Sequence, residues 1–335
     1  MARIRNKIFI LVSALSLALA LLFSGIGVSA QAETVYIGGM PAGFTLGLGG
    51  AQVVGVCEVL SEEGPVSPAR DAGIRTGDLI VSIGGMRITT AEEIDKALAA
   101  VQGKETDVVL KRDGESSEKQ VAPVKDKVSG RYRLGVLIRD SISGIGTITY
   151  IRKGDLRFGS LGHAVAGQDG KLMQVSRGDI FRCSIVDVVK GERGRAGELK
   201  GLFMNDKAVA VAEKNCAAGI YGRFREDYDF SGLRTAEISA EATPGKASIL
   251  TTVDGVEPKE YSVSIVKVDN GNKQNKNYVI KITDAELLAC SGGIVQGMSG
   301  SPILQNGKLV GAVTHVFLND PTRGYGISIA NMMQN

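Results

Sequence analysis

Glycine constrains this chain more than any other residue type. It fills 44 of 335 positions, against 8 prolines, 5% aromatic residues and no tryptophan. A residue without Cβ turns the chain sharply and lets backbones approach, but it weakens helix interiors. The excess therefore favours strands, bulges and tight turns over a helical bundle. Hydrophobic residues at 44% and charged residues at 22% support a buried core rather than disorder. The length suits two domains. The expected class is mainly β with a small α+β module.

The formal net charge of +3 belongs to the amino terminus. Arg3, Arg5 and Lys7 are three of the 39 cations, and the remaining 36 balance 36 acidic residues. A neutral body carries no basic patch, so nucleic acid is not an expected partner. The same three cations precede an apolar run from Ile8 to Phe23, then Ser24-Gly25-Ile26-Gly27-Val28 and Ala30-Gln31-Ala32. That is the order of an export signal with a small-x-small cleavage site. Counted through to Val28, the run also reaches the length that spans a bilayer. Residues 1–32 are thus a signal peptide or a membrane anchor, and both place the rest of the chain outside the cytoplasm.

Cys57, Cys183, Cys216 and Cys290 show no CxxC spacing, which argues against a zinc site. An exported chain permits disulfides, and buried free thiols are the plain alternative. Only two histidines are present, His163 and His315, so a multi-histidine metal centre is nearly excluded. Nothing implies a metal or an organic cofactor.

Residues 36–120 read as one module. Phe44–Leu48 and Gln52–Val56 are strand-like, and Leu79–Ile83 is a strand ending in the turn Gly84-Gly85. Thr90 with Glu93 forms a capping box. Ile94, Leu98 and Val101 then recur at helical spacing. Ser67-Pro68-Ala69, Ala72-Gly73-Ile74 and Gly77-Asp78 complete a pattern that resembles a bacterial PDZ domain. The resemblance implies a groove beside the Thr90–Val101 helix that takes an extended peptide as an added strand. Leu46, Gly47 and Leu48 are the expected peptide-binding segment.

Residues 125–335 carry the chemistry. Short apolar runs such as Leu134–Ile138, Gly146–Ile151, Ser184–Val189 and Tyr278–Ile282 lie between glycines. Gly297-Met298-Ser299-Gly300-Ser301-Pro302 then leads into Gly307-Lys308-Leu309-Val310-Gly311. A serine between glycines on a tight turn exposes its hydroxyl. The same turn can aim the N–H groups of Gly297 and Ser299 at one point, as an oxyanion hole requires. The segment resembles the nucleophile turn of chymotrypsin-like serine peptidases, which implies a double β-barrel.

A serine hydroxyl needs a base. His163, in Gly159-Ser160-Leu161-Gly162-His163, precedes Ser299, which is the chymotrypsin order. His315 lies on the strand behind the nucleophile and is expected to point into packing or an edge. Asp187, Asp206, Asp227, Asp229, Asp254, Asp269 and Asp284 lie between His163 and Ser299. Spacing does not choose among them: Asp206 suits the chymotrypsin-like distance after the histidine, and Asp284 lies close before the serine.

The whole order resembles the SpoIVB serine peptidase family of spore-forming bacteria: export segment, PDZ pattern, GSLGH and GMSGSPI. The segments Gly178–Gly191 and Gly197–Gly201 are similar as well. The resemblance implies a triad of His163, Asp284 and Ser299. It also implies self-cleavage near the amino terminus, export from the forespore and residence between the two spore membranes. The implied substrate is a membrane-bound inhibitor of an intramembrane metalloprotease, whose release activates a late mother-cell sigma factor. Two other functions fit the residues: an envelope quality-control protease with a PDZ domain, and a non-catalytic PDZ adaptor.

Overall fold

Two six-stranded barrels and a PDZ module make up residues Thr34–Asn335 in the computed structural model. The structure describes residues 33–167, 172–173, 175, 177–204 and 207–335. The signal peptide or anchor expected at 1–32 lies outside the described residues. No described helix is long and apolar enough to cross a membrane.

The first barrel follows from alternation along its strands. Val136–Arg152, Arg157–Ser160, Gly219–Phe224, Ala210–Cys216, Arg177–Val189 and Pro41–Val56 pair in that order. The last then pairs back onto the first, closing the ring. Inward positions such as Phe44, Leu46, Ile148, Phe158, Ile180 and Phe224 form its core. Phe158 meets Phe224 edge to face, with centroids 5.5 Å apart, a favoured aromatic geometry. The second barrel closes through Gly245–Thr251, Lys259–Val268, Tyr278–Ile282, Asp320–Ser328, Lys308–Phe317 and Pro302–Gln305. Ile249, Val263, Ile280, Ile303 and Val313 fill it, and the fully buried Tyr278 donates its hydroxyl to Val310 O at 3.0 Å.

The PDZ module packs the helix Ala91–Val101 against the strands Leu79–Ile83, Tyr132–Arg133 and Val136–Arg152, and Thr106–Arg112 and Glu115–Val121 extend the sheet beyond Leu79–Ile83. Thr90 and Glu93 form the reciprocal capping box. Ile94, Ala97 and Leu98 face the core with Ala51, Val53, Ile80 and Leu110. Each fully buried large aliphatic side chain of this kind contributes roughly 1.5–3 kcal/mol. Asp78 is wholly buried and accepts from Arg112 Nε at 2.6 Å and from Arg75 N at 3.0 Å.

The boundary expected at residue 36 moves. Pro41–Val56 and Val136–Arg152 pair antiparallel from Val56↔Val136 to Pro41↔Thr147 and run through both modules. Ala51 and Val53 sit in the PDZ core, whereas Ala42, Phe44 and Leu46 sit in the first barrel. Thr34–Ile37 likewise belongs to the peptidase half, paired on one edge with Val136–Arg152 and on the other with Thr235–Glu237. All four cysteines are free thiols, and Cys183 is buried. Burial alone pushes the Cys183 thiol up to about 11.

Candidate active site

The serine turn hangs from the first barrel by threonines. Thr147 donates its N–H to Ser299 O at 3.0 Å and its hydroxyl to Gly297 O at 2.8 Å. Thr149 donates its hydroxyl to Gly300 O at 2.7 Å. Within the turn, the N–H groups of Met298, Gly300 and Ser301 donate to Val295, Val313 and Met298. Among the described residues, the N–H groups of Gly297 and Ser299 have no acceptor. Gly300 has φ +95, and a Cβ there would collide with Thr147 O. The turn therefore needs glycine both for its dihedral and for the close approach.

The histidine loop is set by two consecutive left-handed residues, Leu161 at φ +64 and Gly162 at φ +68. A leucine in that region is strained, and such strain collects at functional sites. The two residues turn the strand Arg157–Ser160 so that His163 lines the same cavity as Ser299. The His163 Nδ1 lies 2.9 Å from Ala164 O. A carbonyl only accepts, so Nδ1 carries the proton and Nε2 keeps its lone pair. Burial pulls the His163 pKa below its usual value, against the Ala164 bond.

Ser299 and His163 thus meet in one cavity of about 430 Å³, with Gly297 in its wall. The Ser299 hydroxyl donates to Thr314 O at 2.6 Å. His315, expected in packing or at an edge, is exposed on the strand edge beyond Val313 and lines the cavity, its ring 4.7 Å from that of His163. Desolvation, then the nearby His163 and Lys276, pushes its pKa down to about 4.

Asp284 is not brought to the imidazole. It lies outside the cavity wall and caps the helix Ala285–Ser291. One carboxylate oxygen accepts from Glu286 N and Leu287 N, both at 3.1 Å, and the other from Ser262 N at 3.2 Å. Burial would raise its pKa, but these bonds and Lys259 leave it lowered. The group that holds the His163 Nδ1 is instead the Ala164 carbonyl. Asp206, the alternative carboxylate, lies outside the described residues. Asp227 pairs with Lys207 and Arg225, and Asp229 accepts from Ser231.

Leu46, Gly47 and Leu48, expected to bind peptide, lie instead inside the strand Pro41–Val56, away from the PDZ groove. Leu46 is buried in the first barrel, and Gly47 pairs with Ser141 on one edge and Arg177 on the other. At Leu46 and Gly47 both strand edges are therefore taken, so no strand can be added there. The PDZ groove, a cavity of about 730 Å³, lies between Ile94 and Leu98 of the helix and Leu134-Gly135-Val136 with Leu137 and Ile138. Its helix side was legible. Its strand side comes from residues beyond the expected module, where an apolar-glycine-apolar triplet ahead of a strand was the available signal.

Comparison with known proteins agrees with this layout. The chain matches the SpoIVB peptidase S55 family over residues 130–333 and the PDZ domain family over 59–112. Among curated proteins, it is 40% identical over 64 residues to zinc metalloprotease RasP of Oceanobacillus iheyensis, covering 19% of this chain and 15% of that protein. It is 30% identical over 105 residues to a protein named as a zinc metalloprotease in Brucella suis, covering 30% of this chain and 27% of that one. The chain thus matches only 15% to 27% of the length of these relatives. Among the described residues, no group of three His, Cys, Asp or Glu side chains gathers into a metal-ligand set. The S55 match covers more than half of the sequence and contains His163, the Gly297–Gly300 turn and both barrels' later strands, so the chain belongs to the SpoIVB peptidase S55 family of serine peptidases and carries a PDZ domain.

Proposed function

We propose that this chain is a serine endopeptidase of sporulation signalling. The observation that carries the chemistry is the convergence of Ser299 and His163, from different barrels, on one cavity. To react, the Ser299 hydroxyl leaves Thr314 O and gives its proton to His163 Nε2 while Oγ bonds to the scissile carbonyl carbon. The open N–H groups of Gly297 and Ser299 suit the oxyanion that develops. His163 then protonates the departing amine as the C–N bond breaks. Water, deprotonated by His163, hydrolyses the acyl-enzyme. His163 and Ser299 are the pair this geometry supports, with the Ala164 carbonyl orienting the ring.

The family resemblance supports the setting: export from the forespore, action between the spore membranes and cleavage of a membrane-bound inhibitor of an intramembrane metalloprotease. Self-cleavage fits the same reading. Val35 is fully buried and Thr34–Ile37 is paired on both edges, so a self-cut falls upstream of Thr34.

Fluorophosphonate labelling tests the chemistry. The wild-type chain is expected to label at Ser299, and Ser299→Ala and His163→Ala are expected to lose labelling. Undiminished labelling of Ser299→Ala would overturn the assignment. In the spore-forming host, Ser299→Ala is expected to abolish late mother-cell sigma activity. Rapid degradation of unfolded casein with normal sigma activity would point to envelope quality control instead.

A further inference from the structure

The cavity beside Ser299 is walled by apolar side chains from both barrels. Phe44, Leu46 and Leu161 come from the first, and Ile294, Val295 and Val316 from the second. Among the described residues, no Lys, Arg, Asp or Glu lines it. Its polar groups are those of the reaction centre and its rim, including Gln296. At about 430 Å³ it falls within the range of roughly 300–1,000 Å³ of pockets that take a ligand group.

The neighbouring backbone says which part of a substrate enters. The strand Lys308–Phe317 pairs with Pro302–Gln305 only as far as Pro302↔Ala312, followed by Val313 N to Ser301 O. Beyond Val313 that edge continues along the cavity through Thr314, His315 and Val316. A substrate strand laid on this edge, with its carbonyl at Ser299, turns into the cavity the side chain on the acyl side of the cut. An apolar side chain there loses only unfavourable hydration. A charged one loses its water and meets no counter-charge.

Resting on the endopeptidase reading above, we infer that this peptidase selects substrates with a large apolar residue, of Leu, Met or Phe size, immediately before the cleaved bond. Phe44, Leu46, Leu161 and Val316 are the residues that determine this specificity.

The test uses peptidyl diphenyl phosphonates identical except at the residue nearest phosphorus, with Leu, Phe, Ala, Lys and Glu analogues. A plain alkyl fluorophosphonate serves as the reference probe. Inactivation by the Leu or Phe probe is expected to exceed that by Lys or Glu by about 100-fold, and that by Ala by about 10-fold. Fluorophosphonate labelling with a flat series, or one led by Lys or Glu, overturns the specificity and leaves the nucleophile standing. No labelling by any probe overturns both. Val316→Asp is a second arm: the Lys-to-Leu rate ratio is expected to rise at least about 10-fold. An unchanged ratio in a variant with a wild-type thermal melt overturns the role of the wall. Should that variant fail to fold, the wild-type series decides alone.

Discussion

Ser299 and Thr314 are joined by a hydrogen bond of 2.6 Å, in which the serine hydroxyl donates to the threonine carbonyl. The nucleophile is therefore held at the cavity wall, its proton given to Thr314 O and not to His163. Attack requires the hydroxyl to exchange that acceptor for the imidazole. The exchange is local, because the backbone around it is clamped by Thr147 and Thr149.

Removing that clamp is expected to slow the reaction without deleting a reacting group. Thr147→Val keeps the shape but loses the hydroxyl that holds Gly297 O. Thr147 is 1% exposed, so its lost bond is not replaced by water. The fluorophosphonate rate is expected to fall about 10- to 100-fold, below the 10²–10³ of a lost oxyanion donor. Stability is expected to fall by about 1–3 kcal/mol. An unchanged rate in a folded variant would show that the turn holds itself.

Asp284 separates capping from catalysis. Asp284→Ala removes the acceptor for Glu286, Leu287 and Ser262 and is expected to cost about 1–2 kcal/mol. Asp284→Ser restores a cap and is expected to keep the labelling rate within a few-fold of wild type. A loss of about 10⁴-fold in both variants, with the Ser variant stable, would show that the carboxylate reaches His163 during turnover, as the family resemblance implies.

The base must be neutral to accept a proton, and burial lowers the pKa of His163 below 6.5. The labelling rate is therefore expected to be flat above pH 6.5 and to fall only at lower pH. The same shift, with that of His315 to about 4, acts on stability. Between the folded and unfolded values the unfolded chain binds more protons. The stability contribution of both histidines is thus complete above about 6.5 and is lost as pH falls below it. Denaturation midpoints of wild type and His315→Gln across pH 4–8 measure this, with a shallower acid decline expected in the variant.

Asp78 supports the PDZ module through Arg112. Burial works to raise its pKa, but the bonds from Arg112 and Arg75 and their charges outweigh it, and the value is lowered. Breaking the pair with Asp78→Ala is expected to destabilise by about 3 kcal/mol, the low end for buried pairs, because Arg112 is 35% exposed and can rehydrate. A depressed carboxylate contributes above its unfolded pKa near 3.8, so the gap between wild type and variant is expected to close as pH falls below that value. Chemical denaturation at pH 7 and pH 3 checks both the size and the sign.

Much of this was legible in local sequence. The capping box at Thr90 and Glu93, the helix stripe, the serine turn and the strand Tyr278–Ile282 depend on neighbours within a few positions, and periodicity or turn chemistry reports such neighbours directly. His163 could be chosen because only two imidazoles exist. The strand side of the PDZ groove was not legible, because it is supplied by Val136–Ile138, which pairs with Val56–Val53 across some 80 intervening residues.

What the sequence by itself determined is therefore the inventory: a β-rich chain, a nucleophile turn that only glycines allow, and one serine with two imidazoles to serve it. Tertiary structure alone decided which groups meet. It turned His315 into the cavity, gave the His163 Nδ1 to a backbone carbonyl and committed Asp284 to a helix end. It also buried Leu46 in a barrel wall. The reason is physical: residue type and spacing set what a side chain can do, while closure of two barrels sets which distant side chains share one cavity.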